Sequence, residues 1–230
     1  MIRPSHSAVL GAAMCAVVAL GWTAFAGRTE RPTPVQEGFA IARQQMIDDQ
    51  LRGRDIDDPA VLRAMQQVPR HRFVPEAQRE DSYGDHPLPI GEGQTISAPL
   101  VVAVMSQALG LVGSEKVLEI GTGSAYQAAI LSRLAERVIS VERSPRLASR
   151  ARSTLDELGI TNALVVLGDG SRGWRSQAPY DAIVVTAAAL SVPEPLLDQL
   201  APGGCLVGPF GGRDGQVLLR ITLRPDGEFE

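Results

Sequence analysis

The residues of this chain best suited to bind a ligand recur at the ends of short apolar runs. Lys116–Ile120 leads into Gly121-Thr122-Gly123-Ser124, Val138–Glu142 ends on an acid, and Ala163–Leu167 leads into Gly168-Asp169-Gly170. Short β-branched runs of this kind are buried strands, and in a parallel sheet ligands bind beyond the carboxyl ends of the strands. Glycines at the first strand end allow a tight turn and close backbone approach to a ligand. A lone Gly-x-Gly is equally compatible with a plain structural turn. Glu142 stands where an acid can accept both hydroxyls of a ribose, and Asp169 where one can accept from an adenine amino group. Each acid alone also reads as a cap or a solvated charge, but their succession at strand ends describes a nucleoside pocket. A dinucleotide fingerprint needs a third glycine where Tyr126 stands, which argues against a dehydrogenase. Glu119, just before the loop, fits a ligand with a cationic amino-acid tail better than a pyrophosphate. The expected ligand-binding set is Glu119, Gly121, Thr122, Gly123, Ser124, Glu142, Asp169 and Gly170.

The elements that must position these residues alternate in type from Leu100 onward. Helices are expected over Val101–Leu109, Ala125–Leu134, Pro145–Leu158 and Pro193–Leu200. Further strands are expected at Ala182–Thr186, Cys205–Pro209 and Val217–Leu223. Strands alternating with helices give an α/β fold, a doubly wound and mostly parallel sheet covered on both faces. Upstream, Phe39–Leu51 and Pro59–Met65 have helical spacing, the second opened by Asp57-Asp58-Pro59. They form an N-terminal helical extension. Val68–Ser97 is rich in Pro and Gly and reads as extended loop.

Composition is that of a globular protein, 44% hydrophobic and 21% charged over 230 residues. A net charge of -4 argues against a surface built to grip nucleic acid. His6, His71 and His86 lack ligand spacing, so no metal is expected. Cys205 lies in an apolar run and reads as a packed, inert thiol. Residues Ala8–Ala26 carry no charge, follow Arg3 and end in Ala24-Phe25-Ala26. They read as a secretory signal or, if retained, as a membrane anchor and membrane contact. The expected organisation is a signal or anchor over 1–26, a linker over 27–37 and one catalytic domain over 38–230.

The residues also carry a resemblance. Leu88-Pro-Ile-Gly-Glu-Gly-Gln-Thr-Ile-Ser-Ala-Pro99 followed by Val117-Leu-Glu-Ile-Gly-Thr-Gly-Ser-Ala-Tyr-Gln127 closely resembles the protein-L-isoaspartate O-methyltransferases. So do Gln50-Leu-Arg52, Val68–Pro75, Val141-Glu-Arg143, Gly168-Asp-Gly170 with Gly173-Trp174, and Asp181–Ala189. The resemblance runs from near Met46 to the end of the chain. It implies a Rossmann-like methyltransferase fold, S-adenosyl-L-methionine as cofactor, and isoaspartyl-containing proteins or peptides as substrate. The implied reaction methylates the free α-carboxylate of an L-isoaspartyl residue; the ester collapses to a succinimide, which opens a route back to aspartate. By the same resemblance Ser97 is the active-site serine and Thr95 lines its pocket. Without it, Ser97 would read as an N-cap of the following helix. A methyltransferase for another substrate and a non-catalytic binding remnant are the alternatives, and a monomer is expected.

Two departures from the family pattern stand out. Ala125 occupies a position that is usually glycine, where a positive φ would disfavour it. The chain ends at Glu228-Phe229-Glu230, about one strand before the family's usual end, which predicts an unpaired sheet edge. S-adenosylmethionine is made inside cells, so an exported domain would be separated from it, and the compartment stays open between cytoplasm, periplasm and a membrane-anchored form.

Overall fold

The structure, a computed structural model, describes residues 33–212 and 214–230. The signal-like segment, Cys15 and the first part of the linker lie outside the described residues. Helix α1 (Pro34–Gln45) begins inside the stretch read as linker. Thr33 accounts for that start: its hydroxyl accepts from the Gln36 N–H while the Gln36 side chain accepts from the Thr33 N–H. A wide helical turn over Met46–Leu51 continues it and buries Met46, Ile47 and Leu51. Asp58 caps α2 (Pro59–Gln67) by accepting from Ala60 and Val61.

Val68–Ser97 is not plain loop. It holds two short 3-10 turns and a β-hairpin made of β1 (Leu88–Gly91) and β2 (Gln94–Ile96). Gly91, which ends β1, and the connecting residues Glu92 and Gly93 all have positive φ. Only two short apolar stretches separated by Gly-Glu-Gly announce this hairpin in the sequence, and proline within the first masks it.

After α3 (Pro99–Leu109) come β3 (Lys116–Ile120), α4 (Tyr126–Leu131), β4 (Arg137–Glu142), α5 (Pro145–Glu157), β5 (Ala163–Leu167), β6 (Tyr180–Val185), α6 (Glu194–Leu197), β7 (Leu200–Gly212) and β8 (Gly215–Thr222). The sheet order is β5-β4-β3-β6-β7-β8, with only the β7–β8 pair antiparallel. The expected doubly wound, mostly parallel sheet is therefore present. Helices α4 and α6 are shorter than their apolar patterns suggest, and β7 is longer because it runs on as one arm of an antiparallel ribbon. At the outer edge, Thr222 and Glu230 exchange backbone hydrogen bonds of 2.8 and 3.0 Å, so the last residues cover the end of β8.

Strand side chains alternate between two buried layers. Leu118, Ile120, Ile139, Val141, Ile183 and Val185 pack beneath α6 with Leu196 and Tyr180. Val117, Val138, Ala182 and Val184 pack with Met105 and Leu109 of α3 and Leu131 of α4. Glu119 and Ser140 share that second face, two residues beyond Val117 and Val138. The order reverses between β4–β3 and β6, so the crevice at a switch point opens above the end of β3.

Candidate active site

Above the ends of β3, β4, β5 and β6 lies a cleft of about 540 Å³, within the usual range for small-molecule sites. Its walls include Gly121 and Gly123, Glu142 to Ser144, Asp169 to Ser171, and Val185 to Ala189. Glu92, Gln94 and Thr95 of the β1–β2 hairpin close one side.

The glycine loop is held by hydrogen bonds from both sides. Gly121 and Thr122 both donate to the carbonyl of Val141, and Thr186 Oγ1 donates to the carbonyls of Ile120 and Gly121. Gly121 has φ +101°, and a Cβ there would stand 3.0 Å from Ala187 Cβ and Thr186 Oγ1. At Gly170 a Cβ would meet Ile120 Cγ2 at 2.5 Å. At these two positions a side chain would collide with protein already in place, so glycine lets the loops pack against β6 and β3. Glu142, almost fully buried, accepts from the N–H of Gly123 and of Ser144, each at 2.8 Å and one to each carboxylate oxygen. Each oxygen keeps a further lone pair for a ligand hydroxyl. Asp169 is exposed and caps the turn Gly170–Arg172; hydrogen bonds from the Ser171 hydroxyl and N–H hold its carboxyl below the usual range. The acids and glycine turns fit a polar nucleoside seated on backbone, with room beside it for a second reactant.

Of the expected ligand-binding set, Gly121, Gly123, Glu142, Asp169 and Gly170 line this cleft, as does Thr95. Glu119, Thr122 and Ser124 do not. Glu119 is completely buried beneath the loop, where Ser140 Oγ donates to its Oε2 at 2.5 Å and Thr122 Oγ1 lies 2.5 Å from Ser140 Oγ. Strand pairing dictates this, since Glu119 stands opposite Ser140 in the β3–β4 register. Burial pushes the Glu119 carboxyl up to about 8, and the nearby Glu142 charge pushes the same way. Its other oxygen has no partner among the described residues. In this position Glu119 supports the loop from inside and does not line the cleft. Ser124 turns inward to accept from the Tyr126 N–H. Ser97 is half-buried between β2 and α3 and is not the helix cap; Ala98 holds that position without a side-chain bond. The carbonyl of Ser97 accepts from Arg70 at 2.7 Å.

Glu92, Gln94, Arg143, Ser144 and Ala187 to Ala189 line the cleft without having been expected. The hairpin pattern could have brought in the first two. Ser140, a lone polar residue in an apolar strand, was the available sign of the network under the loop. Among the described residues there is no group of three or more His, Cys, Asp or Glu able to hold a metal, and no helix long and apolar enough to cross a membrane. Cys205 is buried, which raises its thiol pKa, and it donates weakly to Leu109 O at 3.5 Å.

Comparison with known proteins places this geometry. Residues 41–230 match the family model described as Protein-L-isoaspartate(D-aspartate) O-methyltransferase. The chain is 56% identical over 189 residues to protein-L-isoaspartate O-methyltransferase 1 of Syntrophobacter fumaroxidans, covering 82% of this chain and 88% of that one. Against the protein-L-isoaspartate O-methyltransferase of Geobacter metallireducens it is 54% identical over 191 residues, covering 83% and 88%. A crystal structure from Plasmodium falciparum, whose description assigns it to protein-L-isoaspartate O-methyltransferase by similarity and places it in complex with S-adenosyl-L-homocysteine, superposes with a TM-score of 0.71 at 26% identity. That match covers 82% of this chain and 93% of the other.

Proposed function

The chain belongs to the protein-L-isoaspartate(D-aspartate) O-methyltransferase family, and we propose that its cleft methylates the free α-carboxylate of L-isoaspartyl residues in damaged proteins and peptides. The cofactor is S-adenosyl-L-methionine, which when bound supplies an electrophilic methyl group on a sulfonium sulfur. One observation carries the reading: the strand-end acid Glu142 and the hairpin residue Thr95 face a single cleft.

Glu142 is suited to hold the ribose hydroxyls, with its carboxylate oriented by the N–H groups of Gly123 and Ser144. Gly121, Gly123 and Gly170 keep the backbone open to the nucleoside, and Asp169 offers an acceptor at the adenine end. An isoaspartyl carboxylate has an intrinsic pKa near 4 and arrives ionised, so the site needs no general base. The protein must hold that carboxylate in line with the methyl group, and alignment of reactants alone contributes several kcal/mol to such reactions. Thr95 and Ser97 are proposed to do this with neutral hydroxyls, which position oxygens without adding a competing charge. Their place on either side of the buried Ile96 supports the pairing.

Incubating the purified protein with methyl-labelled cofactor and a matched pair of isoaspartyl and aspartyl peptides tests the reading. Label is expected on the isoaspartyl peptide alone; equal or absent labelling of the two sinks it. Cofactor binding without turnover would point to a binding remnant. For residues 8–26 the proposal is an export signal or anchor, and N-terminal sequencing of the mature protein for a start at Gly27 decides between them.

A further inference from the structure

One charged side chain has no place in the chemistry above. Arg70 is fully buried, yet among the described residues it makes no ion pair. Asp85, whose field reaches it, is itself bonded to Arg54 at 2.6 Å and to the Leu100 N–H. Burying a cation without a counter-ion costs several kcal/mol, which only good hydrogen bonds to the surrounding groups offset. What Arg70 makes instead are two hydrogen bonds to main chain. Nε donates to Ser82 O and one Nη donates to Ser97 O, both at 2.7 Å. Its guanidinium carbon lies 4.9 Å from the ring centroid of Tyr126, the first residue of α4 after the glycine loop. The remaining Nη has no hydrogen-bond partner among the described residues.

The segment it holds is otherwise lightly tied. Ser97 lies past the last ladder residue of β2 and before the cap of α3. A rigid planar fork resting on Tyr126 and bonded to Ser97 O therefore fixes the height of that segment against the start of α4. We propose that Arg70 is a positioning residue for the substrate: it sets where Thr95 and Ser97 stand relative to the cofactor cleft. The inference rests on the reading that Thr95 and Ser97 hold the isoaspartyl carboxylate.

Arg70→Lys keeps the charge but loses the fork, and Arg70→Met loses both. In the full chain, kcat/KM for the isoaspartyl peptide should fall roughly 10- to 100-fold in Arg70→Lys, the range of one to two charge-assisted hydrogen bonds. The Kd for S-adenosylhomocysteine by calorimetry should stay within about threefold, because the cleft wall at Gly121, Gly123 and Glu142 is untouched. Unchanged peptide kinetics, or cofactor binding lost in step with them, overturns the inference. Amide hydrogen exchange supplies a readout independent of turnover: Ile96 to Ala98 should exchange about tenfold faster in Arg70→Lys while residues 121–125 do not change. Equal exchange overturns the proposal even if the wild-type protein methylates nothing, whereas faster exchange without isoaspartyl labelling condemns only the functional reading. Should both Arg70 variants fail to fold, Tyr126→Leu removes the platform and leaves the two hydrogen bonds. It should shift exchange at 96–98 in the same direction by a smaller factor, and no shift there also overturns the inference.

Discussion

Two fully buried ionisable side chains, neither in an ion pair among the described residues, support two neighbouring segments, and they solve the same problem differently. Glu119 lies under the glycine loop and Arg70 under the Thr95–Ser97 segment. A carboxyl group can shed its charge by keeping a proton, and burial pushes Glu119 up to about 8. A guanidinium has no such exit; burial pulls Arg70 down, but it remains charged at any pH the fold survives. The glycine loop thus rests on a neutral polar chain, Glu119–Ser140–Thr122, and the Thr95–Ser97 segment on a permanent cation spread over two carbonyls and an aromatic face. The first support should respond to pH and the second should not.

The largest effect expected from this contrast is at Arg70. In Arg70→Met the carbonyls of Ser82 and Ser97 lose charged donors, which at about 1–3 kcal/mol for each buried group gives a loss of roughly 2–6 kcal/mol. Because the guanidinium does not titrate, urea unfolding should report the same loss at pH 5.5, 7 and 8.5. A loss that changes across that range would break the contrast at its cation.

A second effect, opposite in its response to pH, is expected at Glu119. The folded protein keeps this proton up to about pH 8, while an unfolded glutamate releases it near 4.5. Between those values the native state binds more protons than the unfolded state, so this group's contribution to stability is full at low pH and is lost as pH rises. Glu119→Gln removes that dependence. Its stability relative to wild type should rise with pH by up to about 1.4 kcal/mol per unit across the window, then level off. Parallel stability curves for the two proteins would mean that Glu119 is ionised in the fold, and the contrast would collapse.

The same two residues mark how far the sequence could be read. Strand positions, the mostly parallel sheet they imply and the acids at strand ends were legible because apolar runs, glycine turns and the period of two are local. Lys116–Ile120 and Ala163–Leu167 are observed with the expected ends. The direction of Glu119 was not legible from the loop it precedes, since that depends on Ser140 standing opposite across β3 and β4. The role of Arg70 was less legible still: its partners lie 12 and 27 residues away, in segments without regular structure of their own. The β1–β2 hairpin, read as loop, falls between these cases. Its local signal existed but was diluted by proline and by three successive residues at positive φ.

The smallest expected effect tests where the two segments meet. Ala125 follows the glycine loop and precedes Tyr126, on which Arg70 rests; it has φ +70° and is fully buried. A left-handed backbone costs an L-residue about 1–2 kcal/mol that glycine avoids. Replacing alanine by glycine also gives up a buried methyl, worth about 0.8 kcal/mol. The difference leaves Ala125→Gly more stable by roughly 0.5 kcal/mol, readable as a small rise in the urea midpoint at unchanged slope. Its sign carries the information. A stabilised variant means that the loop geometry is imposed from both sides, by Glu142 on Gly123 and by the buried ring of Tyr126, against the preference of the residue between them. A destabilised variant means that the methyl group packs the junction, and the two supports are then joined through the core at Ala125 as well as through the backbone.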